Sequence, residues 1–536
     1  MLGCSESADG PDFADGTGGD TGTVMATSSS TGTCPNCSTS TDGTTVGLDG
    51  TTAEPPDIIW DLKSDVGEMA QECRVVGRLD AVGACDDVAP PDAFEPDIQW
   101  EWTPAQSIHS TVTPLVANLT DDNDDGVIDL CDTPDIVVVT YESLYQPADL
   151  HVLDGATGAE HYVIEDAVDF AVTPALGDID GDGMVEIISA RPGDFMDAGV
   201  LVAFEHDGTL KWEGDTPWVG GAVGAVALAD LDNDGDVEIL AGGTVSNHDG
   251  TLAWSVPVTA PDWAATTAAD LDDDGTLELV LGHAAYDWDG DEVYLNLDIA
   301  PGFPQVADLD DDPEPEVLIS NAQGMSLLNH DGSTIFADLR PTGDPVGPST
   351  WLRPATVHDF DGDGLSEFAM SSADHYSVFT GAGDVSWSAV VSDQSGVAAG
   401  TAFDFLGDGI AEAMYADEHN LFVFDGAGVP LLTTQRTSAT GTEYPVVADV
   451  DNDGSAEIVV VSNGFANGAT VQVVRDVQDR WIQARRIWNQ HTYHVTNVRE
   501  DGTIPTHEQP NWTLLNTFRT NAQIQDGSVC KPEPEG

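Results

Sequence analysis

The chain has 536 residues, of which 41% are hydrophobic, so it can form several domains or one large repeat array with a buried core. Its 96 acidic and 15 basic residues give a formal net charge of −81. This charge excludes nucleic acid and anionic lipid as partners, because both would be repelled. Two explanations of the charge remain, namely a surface adapted to high salt and a cation-binding protein. The carboxylates are clustered in a repeated pattern, which favours cation binding.

The first 56 residues predict a flexible tether. Residues 5–56 consist almost entirely of Ser, Thr, Gly, Asp and Pro, which cannot form a packed core, so we expect this linker to be disordered. The start Met1-Leu2-Gly3-Cys4 resembles the end of a bacterial lipoprotein signal, in which the cysteine becomes lipidated. The resemblance implies a start further upstream or a trimmed leader. It also implies an outer-membrane or cell-surface lipoprotein, or a secreted protein, with a lipid on Cys4 as its membrane contact.

Seven cysteines and an extracytoplasmic location predict disulfides. Cys34 and Cys37 form a C-x-x-C in a Ser/Thr/Gly tract, which favours a small disulfide loop over zinc because no second C-x-x-C is present. Residues 57–95 form a small Cys-containing segment, with one helix expected around Val66–Leu79. Cys530 has three candidate partners, namely Cys73, Cys85 and Cys131, and the sequence leaves the choice open.

Between residues 96 and 475 a carboxylate motif returns eight times, at spacings of 38 to 57 residues. Its first aspartates are Asp121, Asp178, Asp230, Asp270, Asp308, Asp359, Asp404 and Asp449. An apolar run of strand length precedes and follows each motif, and a third strand, a Gly-containing turn and a fourth strand come next. Four short antiparallel strands per repeat predict an all-β fold, an eight-bladed β-propeller, with seven blades as the alternative.

The two ends of the repeat array predict its closure. The last repeat lacks a fourth strand, and "IQWEW" at Ile98–Trp102 reads as a fourth strand without the first three, so we expect it to complete the last blade. Seven of the 15 basic residues lie after position 474, and six of them fall within residues 476–536. Trp481, Ala484 and Trp488 have helical spacing, which predicts a helix within a small C-terminal helical cap docked on the acidic ring.

The motif "DIDGDGMVE" (Asp178–Glu186) has the donor pattern of a calcium cage. Oxygens at its first, third and fifth positions converge if the chain curls around a point, and glycine at the sixth position permits the bend. The seventh residue offers a carbonyl and the acid at the ninth closes the shell, which suits Ca²⁺ with its six to eight oxygen ligands. The motif overlaps the start of an EF-hand loop but closes at the ninth rather than the twelfth position.

The eight repeats supply the predicted ligands. Complete sets are Asp178, Asp180, Asp182, Glu186; Asp230, Asp232, Asp234, Glu238; Asp270, Asp272, Asp274, Glu278; Asp359, Asp361, Asp363, Glu367; and Asp449, Asp451, Asp453, Glu457. The first repeat uses Asp121, Asn123, Asp125 and Asp129. The fifth has Asp308, Asp310, Asp312 and Glu316 with Pro313 in place of glycine, and the seventh has Asp404, Asp408 and Glu412 with Leu406 at the third position. In these two repeats we expect weak or absent metal.

These motifs resemble the FG-GAP and VCBS repeats of integrin-α-like β-propellers, over about residues 98–475. The resemblance implies that the loop between the first two strands of each blade holds Ca²⁺ through the aspartates and glutamates named above. The Phe-Gly and Gly-Ala-Pro signatures of the family are not clearly present, so the repeats have the bacterial, calcium-loop form.

The main functional hypothesis is a monomeric cell-surface binding or adhesion protein, in which calcium rigidifies the loops and a propeller face binds a glycan or a protein. The alternative is a polysaccharide lyase, since some lyases are built on eight-bladed calcium propellers of this type. Its candidate groups are His491, Tyr493 and His494 with Arg485 and Arg486, although such a cluster is more often packing. A quinone-dependent dehydrogenase is a third and weaker hypothesis, because the chain has no adjacent cysteines to pack a quinone.

Overall fold

The structure is a computed structural model, and it divides the chain into two compact units, Met1–Trp60 and Asp61–Gly536. It describes Cys73 and residues 82–193, 199–217, 224–256, 264–310, 312–340, 353–372, 374–393, 395–464 and 468–532. The first unit, the predicted tether, the predicted helix around Val66–Leu79 and the Cys34–Cys37 pair lie outside these residues, apart from Cys73. The predicted division into four segments, 1–56, 57–95, 96–475 and 476–536, stays a prediction.

The regular secondary structure of the described residues is almost entirely β-strand, and twenty of their strands lie between residues 83 and 295. These are β1 (Gly83–Ala84), β2 (Pro96–Trp102), β3 (Leu115–Ala117), β4 (Asp135–Thr140), β5 (Ala148–Asp154), β6 (Glu160–Val168), β7 (Ala175–Gly177), β8 (Glu186–Ala190), β9 (Val200–Phe204), β10 (Leu210–Pro217), β11 (Gly224–Ala225), β12 (Ala227–Ala229), β13 (Glu238–Ala241), β14 (Thr244–Ser246), β15 (Leu252–Ser255), β16 (Ala264–Ala265), β17 (Thr267–Ala269), β18 (Glu278–Val280), β19 (Ala284–Tyr286) and β20 (Glu292–Leu295).

The second half continues the pattern and adds one short helix. Its elements are β21 (Phe303–Ala307), β22 (Glu316–Asn321), β23 (Gly324–Asn329), β24 (Thr334–Leu339), β25 (Thr356–His358), β26 (Glu367–Ser371), β27 (His375–Phe379), β28 (Val385–Val390), β29 (Gly400–Phe403), β30 (Glu412–Ala416), β31 (Asn420–Phe424), β32 (Pro430–Gln435), β33 (Val446–Ala448), β34 (Glu457–Val461), β35 (Val471–Asp476), α1 (Asn511–Leu514), β36 (Ile524–Gln525) and β37 (Ser528–Lys531).

Eight four-stranded antiparallel sheets account for most of these strands, which confirms the predicted all-β class. In chain order they are sheet 1 (β3–β6), sheet 2 (β7–β10), sheet 3 (β12–β15), sheet 4 (β17–β20), sheet 5 (β21–β24), sheet 6 (β25–β28), sheet 7 (β29–β32) and sheet 8 (β33–β35 with β2). The first three strands of a sheet are largely buried, whereas the residues of the fourth are mostly exposed or partly buried.

Strand β2 completes sheet 8, as its sequence predicts. It pairs antiparallel with β35, and Trp100 lies opposite Val473 and Trp102 opposite Val471. The sheet therefore joins the beginning of the repeat array to its end. This pairing covers the edge of β35, which would otherwise expose unsatisfied backbone groups.

Hydrophobic clusters join each sheet to the next. Separate clusters link sheets 3 and 4, 4 and 5, 5 and 6, 6 and 7, and 7 and 8. One larger cluster links sheet 8 with sheets 1, 2 and 3. Each sheet is apolar on both faces and buries them against two neighbours, so the contacts between the sheets follow a closed cycle.

The fourth strand of every sheet carries a one-residue bulge, and an aromatic residue follows the bulge in seven of the eight. The ring packs on a turn glycine of the next sheet. Trp100 lies against Gly158, and Trp212 lies against Gly250. The ring polar atoms add hydrogen bonds, such as Trp212 Nε1 to the carbonyl oxygen of His248 at 3.0 Å. The predicted tryptophan strand therefore connects neighbouring sheets.

The predicted C-terminal helix is wrong. Between residues 476 and 532 the only helix is α1, and the predicted stretch is extended or turned. Trp481, Ala484 and Trp488 are all buried, but each contacts a different element: Trp481 packs on Phe405, Ala484 pairs with Gln523, and Trp488 pairs with Val116. Backbone hydrogen bonds to distant strands outweigh the local helical preference that the spacing indicates.

Residues 488–521 contact the first strand, or a residue beside it, in all eight sheets. The hydrogen-bonded pairs are Val116 with Trp488, Leu176 with Asn489, Leu228 with Gln490, Thr266 with Thr492, Asp308 with Asn516, Val357 with Phe518, Ala402 with Thr520 and Val447 with Asn521. The C-terminal segment therefore lies along the first strands of all eight sheets, which is a deeper insertion than the surface docking that the sequence predicts.

Among the described residues, two disulfides tie the part of the chain that precedes the sheets to the C-terminal segment and to the β3–β4 connection of sheet 1. Cys85 bonds to Cys530, which answers the question that the sequence leaves open, and Cys73 bonds to Cys131. Strand β1 pairs in parallel with β37 beside the Cys85–Cys530 bond. Among the described residues no helix has the length and hydropathy needed to span a lipid bilayer.

Candidate metal-binding loops

The carboxylate motifs occupy the loop between the first and second strands of each sheet, as predicted. In seven loops the first aspartate accepts a hydrogen bond from the backbone N–H of the sixth residue, for example Gly183 to Asp178 at 3.0 Å and Gly235 to Asp230 at 2.9 Å. In sheets 2 to 8 the ninth-position glutamate accepts the N–H of the second residue, as Leu231 donates to Glu238 at 2.9 Å. These bonds curl the chain around the remaining carboxylate oxygens.

Two left-handed residues produce the curl. The fourth position has a positive φ and holds Gly, Asn or Asp, as in Gly181 (73°) and Asn233 (61°). The sixth is glycine with φ near 90°, as in Gly235 (95°). Glycine adopts this region without strain, and Asn and Asp tolerate it better than other side chains do.

The loops bring carboxylate oxygens close together. One oxygen from each of Asp230, Asp232 and Glu238 lies within 4.8 Å of the others, and Asp178, Asp180 and Glu186 form the same group in sheet 2. The ninth-position glutamates start the second strands and are buried, apart from the half-buried Glu238, whereas the aspartates at the third and fifth positions are more exposed.

Burial and the charges of neighbouring carboxylates raise the pKa of several ninth-position glutamates and of Asp230, which favours the protonated form of these groups. Burial, and then the charges of the loop aspartates, raise the pKa of Glu238, Glu278 and Glu367 to about 8. The same causes raise the pKa of Glu457 well above its ordinary range, and burial raises the pKa of Asp230 to about 6. A cluster of this kind is stabilised either by protons or by a bound cation.

The loop of sheet 8 passes a direct test of fit for a metal ion. Glu457 is fully buried, and its Oε2 accepts the Val450 N–H at 3.0 Å, but its Oε1 has no hydrogen-bond partner among the described residues. Asp449 in the same loop is also fully buried. An ionised oxygen in this position requires a cation, because leaving it unsatisfied is costly. The oxygen-only donor set suits Ca²⁺ rather than a softer metal.

The first loop differs from the prediction in its closing residue. The N–H groups of Asp122 and Asn123 donate to Asp132 Oδ1 at 3.1 and 3.2 Å, so Asp132 takes the place that glutamate has elsewhere. Asp132 is fully buried and is the twelfth residue counted from Asp121. The predicted Asp129 instead accepts the Cys131 N–H at 2.9 Å. The first loop thus has the twelve-residue spacing of an EF-hand loop, which counting to the ninth position missed.

The fifth loop departs from the shared geometry, whereas the seventh keeps the shared hydrogen bonds but has no acid at its third position. Pro313 has no N–H to donate to Asp308, and its ring fixes φ near −65°, which excludes the left-handed bend. Leu406 is 8% exposed and belongs to a core cluster that includes Phe94 and Trp481. Its carbonyl accepts the Ala89 N–H at 2.7 Å. The seventh loop therefore lies beneath another part of the chain.

The residues considered for lyase chemistry are buried. His491 is 3% exposed, and burial lowers its pKa well below the ordinary value. His494 Nε2 contacts Glu508 Oε1 at 2.5 Å, and Arg486 contacts Glu500 at 2.7 Å. Arg485 donates to the carbonyl of Val495 at 2.8 Å. These side chains hold the C-terminal segment in place, and a polymeric substrate would not reach them.

Comparison with known proteins gives one partial family match and several similar folds. A family model described as an FG-GAP-like repeat matches residues 178–241, which confirms the predicted resemblance for that stretch. No curated protein matches the chain. The crystal structure of the V. cholerae biofilm matrix protein Bap1 is similar at 21% identity and a TM-score of 0.69, over 82% of this chain and 100% of that one. The rhamnogalacturonan lyase YesW is similar at 14% identity and a TM-score of 0.50, over 82% and 84%. These identities establish a shared fold.

Proposed function

We propose that this chain is a calcium-stabilised, extracytoplasmic β-propeller of eight blades that serves as a monomeric cell-surface binding or adhesion module for a glycan or a protein. The observation that carries the proposal is the closed cycle of contacts among eight four-stranded sheets, each with a carboxylate loop between its first two strands. Radial repetition of four-stranded sheets is the arrangement of a propeller, in which each sheet is a blade.

The calcium part of the proposal rests on the loops of sheets 3, 4, 6 and 8. Each has acids at the first, third, fifth and ninth positions and the shared hydrogen bonds around them. The orphaned Glu457 Oε1 gives sheet 8 the strongest support. Bound Ca²⁺ would neutralise the carboxylates and fix the loops. We expect the fifth and seventh loops to bind weakly or not at all.

The binding part of the proposal rests on the shared fold and on the disulfides. The chain is similar in fold to a biofilm matrix protein over the whole of the chain in that crystal structure. Two disulfides favour an oxidising, extracytoplasmic environment. A lipid on Cys4 and a flexible tether would place the propeller at the cell surface. The high negative charge favours neutral glycans or basic protein surfaces as ligands over polyanions.

The test of the calcium sites uses the full chain. We would count bound calcium by elemental analysis and record thermal unfolding in calcium and in chelator, for the wild type, Glu457→Gln and the matched control Glu292→Gln, whose side chain is exposed. We expect several calcium ions per chain, a lower Tm in chelator, and the loss of one ion in Glu457→Gln only. Absence of bound calcium together with an unchanged Tm would refute the calcium part.

The test of binding is a glycan and matrix-protein array probed in calcium and in chelator. Calcium-dependent retention on the array supports the adhesion function. A lyase remains the alternative, because the fold is also similar to that of a rhamnogalacturonan lyase. Release of unsaturated sugars from a polyuronate substrate would favour the lyase and overturn the binding-only function.

A further inference from the structure

The bulge in the fourth strand places one side chain beside the same sheet's carboxylate loop in sheets 1, 2 and 8. In sheet 2 the residues Leu210 and Trp212 lie opposite Phe204 and Ala203, so Lys211 is the extra residue. The register is the same in the other seven sheets. The bulge residues are His161, Lys211, Ala253, Val293, Ile335, Ser386, Leu431 and Gln99 in sheets 1 to 8.

Lys211 extends into the loop of sheet 2. Its Nζ lies 2.7 Å from Asp180 Oδ2, 3.1 Å from Glu186 Oε1 and 3.2 Å from Glu205 Oε2. The side chain of Lys211 is only 13% exposed and that of Glu186 is fully buried. Glu186 Oε2 accepts the hydrogen bond of the Ile179 N–H. The ammonium group of Lys211 therefore contacts the other carboxylate oxygen, Oε1.

The neighbouring sheets show that this contact depends on the bulge residue. In sheet 1 the equivalent His161 lies 3.2 Å from Asp135, the first residue of the second strand. In sheet 8 the equivalent Gln99 donates to Asp451 Oδ2 at 2.6 Å. In sheets 3, 4, 5 and 7 the bulge residue is apolar and offers the loop no charge.

We propose that the Lys211 ammonium group is a built-in cation for the loop of sheet 2, so that this loop binds no divalent ion although its carboxylate set is complete. A metal ion held by Asp180 and Glu186 would have to share both oxygens with Nζ, and two cations at that distance repel each other strongly. The residue at the bulge thereby decides which loops take metal. This inference rests on the proposed calcium loops of the other sheets.

Two reciprocal variants of the full chain test the inference by calcium count. Lys211→Met removes the ammonium group and keeps the stem, so elemental analysis should find one more calcium ion per chain than in the wild type. Ala253→Lys introduces the group into sheet 3, where the loop has the same acids, so it should lose one ion. Unchanged counts in both variants, or a loss of calcium in Lys211→Met, would overturn the inference.

A second measurement does not depend on calcium binding by the wild type. In chelator, Lys211→Met leaves the Asp180, Glu186 and Glu205 carboxylates without a cation, so its Tm should fall by several degrees, and the Lys211→Arg variant should recover most of that loss. An unchanged Tm of Lys211→Met in chelator would overturn the inference. A wild type without bound calcium refutes the proposed calcium function, but the Tm comparison still decides whether Lys211 neutralises its loop.

Discussion

Val116 in the first strand of sheet 1 and Trp488 in the C-terminal segment exchange both of their backbone hydrogen bonds, each at 2.9 Å. Trp488 is fully buried and stacks on Tyr493 with ring centroids 4.6 Å apart. A residue near the C-terminus thus forms part of the core next to the first sheet. The C-terminal segment is therefore a structural part of the sheet array.

Trp488→Ala should destabilise the protein by about 3–5 kcal/mol, because it removes a large buried ring and leaves a cavity. The matched control is Trp288→Ala, since Trp288 is 42% exposed and its replacement should change the free energy of unfolding by less than about 0.5 kcal/mol. Denaturant unfolding of the two variants measures both values. Equal effects would contradict the structural role of the C-terminal segment.

Gly250→Ala should destabilise the junction between sheets 2 and 3. Gly250 has a φ of 79°, and a Cβ there would lie 2.5 Å from the ring of Trp212. The left-handed conformation alone costs about 1–2 kcal/mol for alanine, and the clash adds to this. In the Trp212→Ala background the clash is absent, so the same substitution should cost less. A double-mutant cycle by denaturant unfolding measures the difference, and purely additive effects would count against the contact.

Leu406→Ala and Asp232→Ala change the third position of two loops with different roles. Leu406 is part of the core, so its truncation should cost about 2–5 kcal/mol both in calcium and in chelator. Asp232 is a predicted ligand, so its loss should lower the calcium count by one and the Tm in calcium, with little effect in chelator. Thermal unfolding under both conditions separates the two roles. A calcium-dependent effect of Leu406→Ala would show that the seventh loop binds metal.

The pair formed by His494 and Glu508 should make stability depend on pH. Burial alone would lower the pKa of His494, but the charge and hydrogen bond of Glu508 outweigh burial and raise it above the ordinary value of 6.5. The pair therefore contributes stability that is complete below about pH 6.5 and is lost as the pH rises through the raised value. Unfolding free energies from pH 5.5 to 9 in saturating calcium should show this fall. Glu508→Gln should abolish it, and a fall that persists in this variant would assign it to other groups.

Local patterns in the sequence were sufficient to predict the strands of the eight sheets and the carboxylate loops. Alternating and apolar runs identify the four strands of each repeat, and the missing fourth strand of the last repeat identifies β2 as its partner. The loop geometry depends on residues that are close in the sequence, because the first aspartate accepts a hydrogen bond from an N–H only five residues later. The sequence also identifies the two atypical loops, because Pro313 replaces the glycine of the fifth loop and Leu406 replaces the third-position acid of the seventh.

Three features depended on side-chain positions that the local sequence pattern does not reveal. Asp132 replaces Asp129 as the closing acid because it is the buried residue that reaches the Asp122 N–H. The contact of Lys211 with the loop follows from a bulge whose side-chain direction the sequence does not display. The pairing of Cys85 with Cys530 follows from the position of β37 beside β1.

The sequence by itself determined the repeat, the four-stranded unit and the acidic loop, because each is set by side-chain alternation and by hydrogen bonds between near neighbours. Only the tertiary structure decided the path of residues 476–532. Their helical spacing is real, but the first strands of eight sheets present backbone donors and acceptors that a helix could not satisfy, and burying those groups unpaired would cost more than the local helical preference provides. The C-terminal segment is extended because the sheets require partners there.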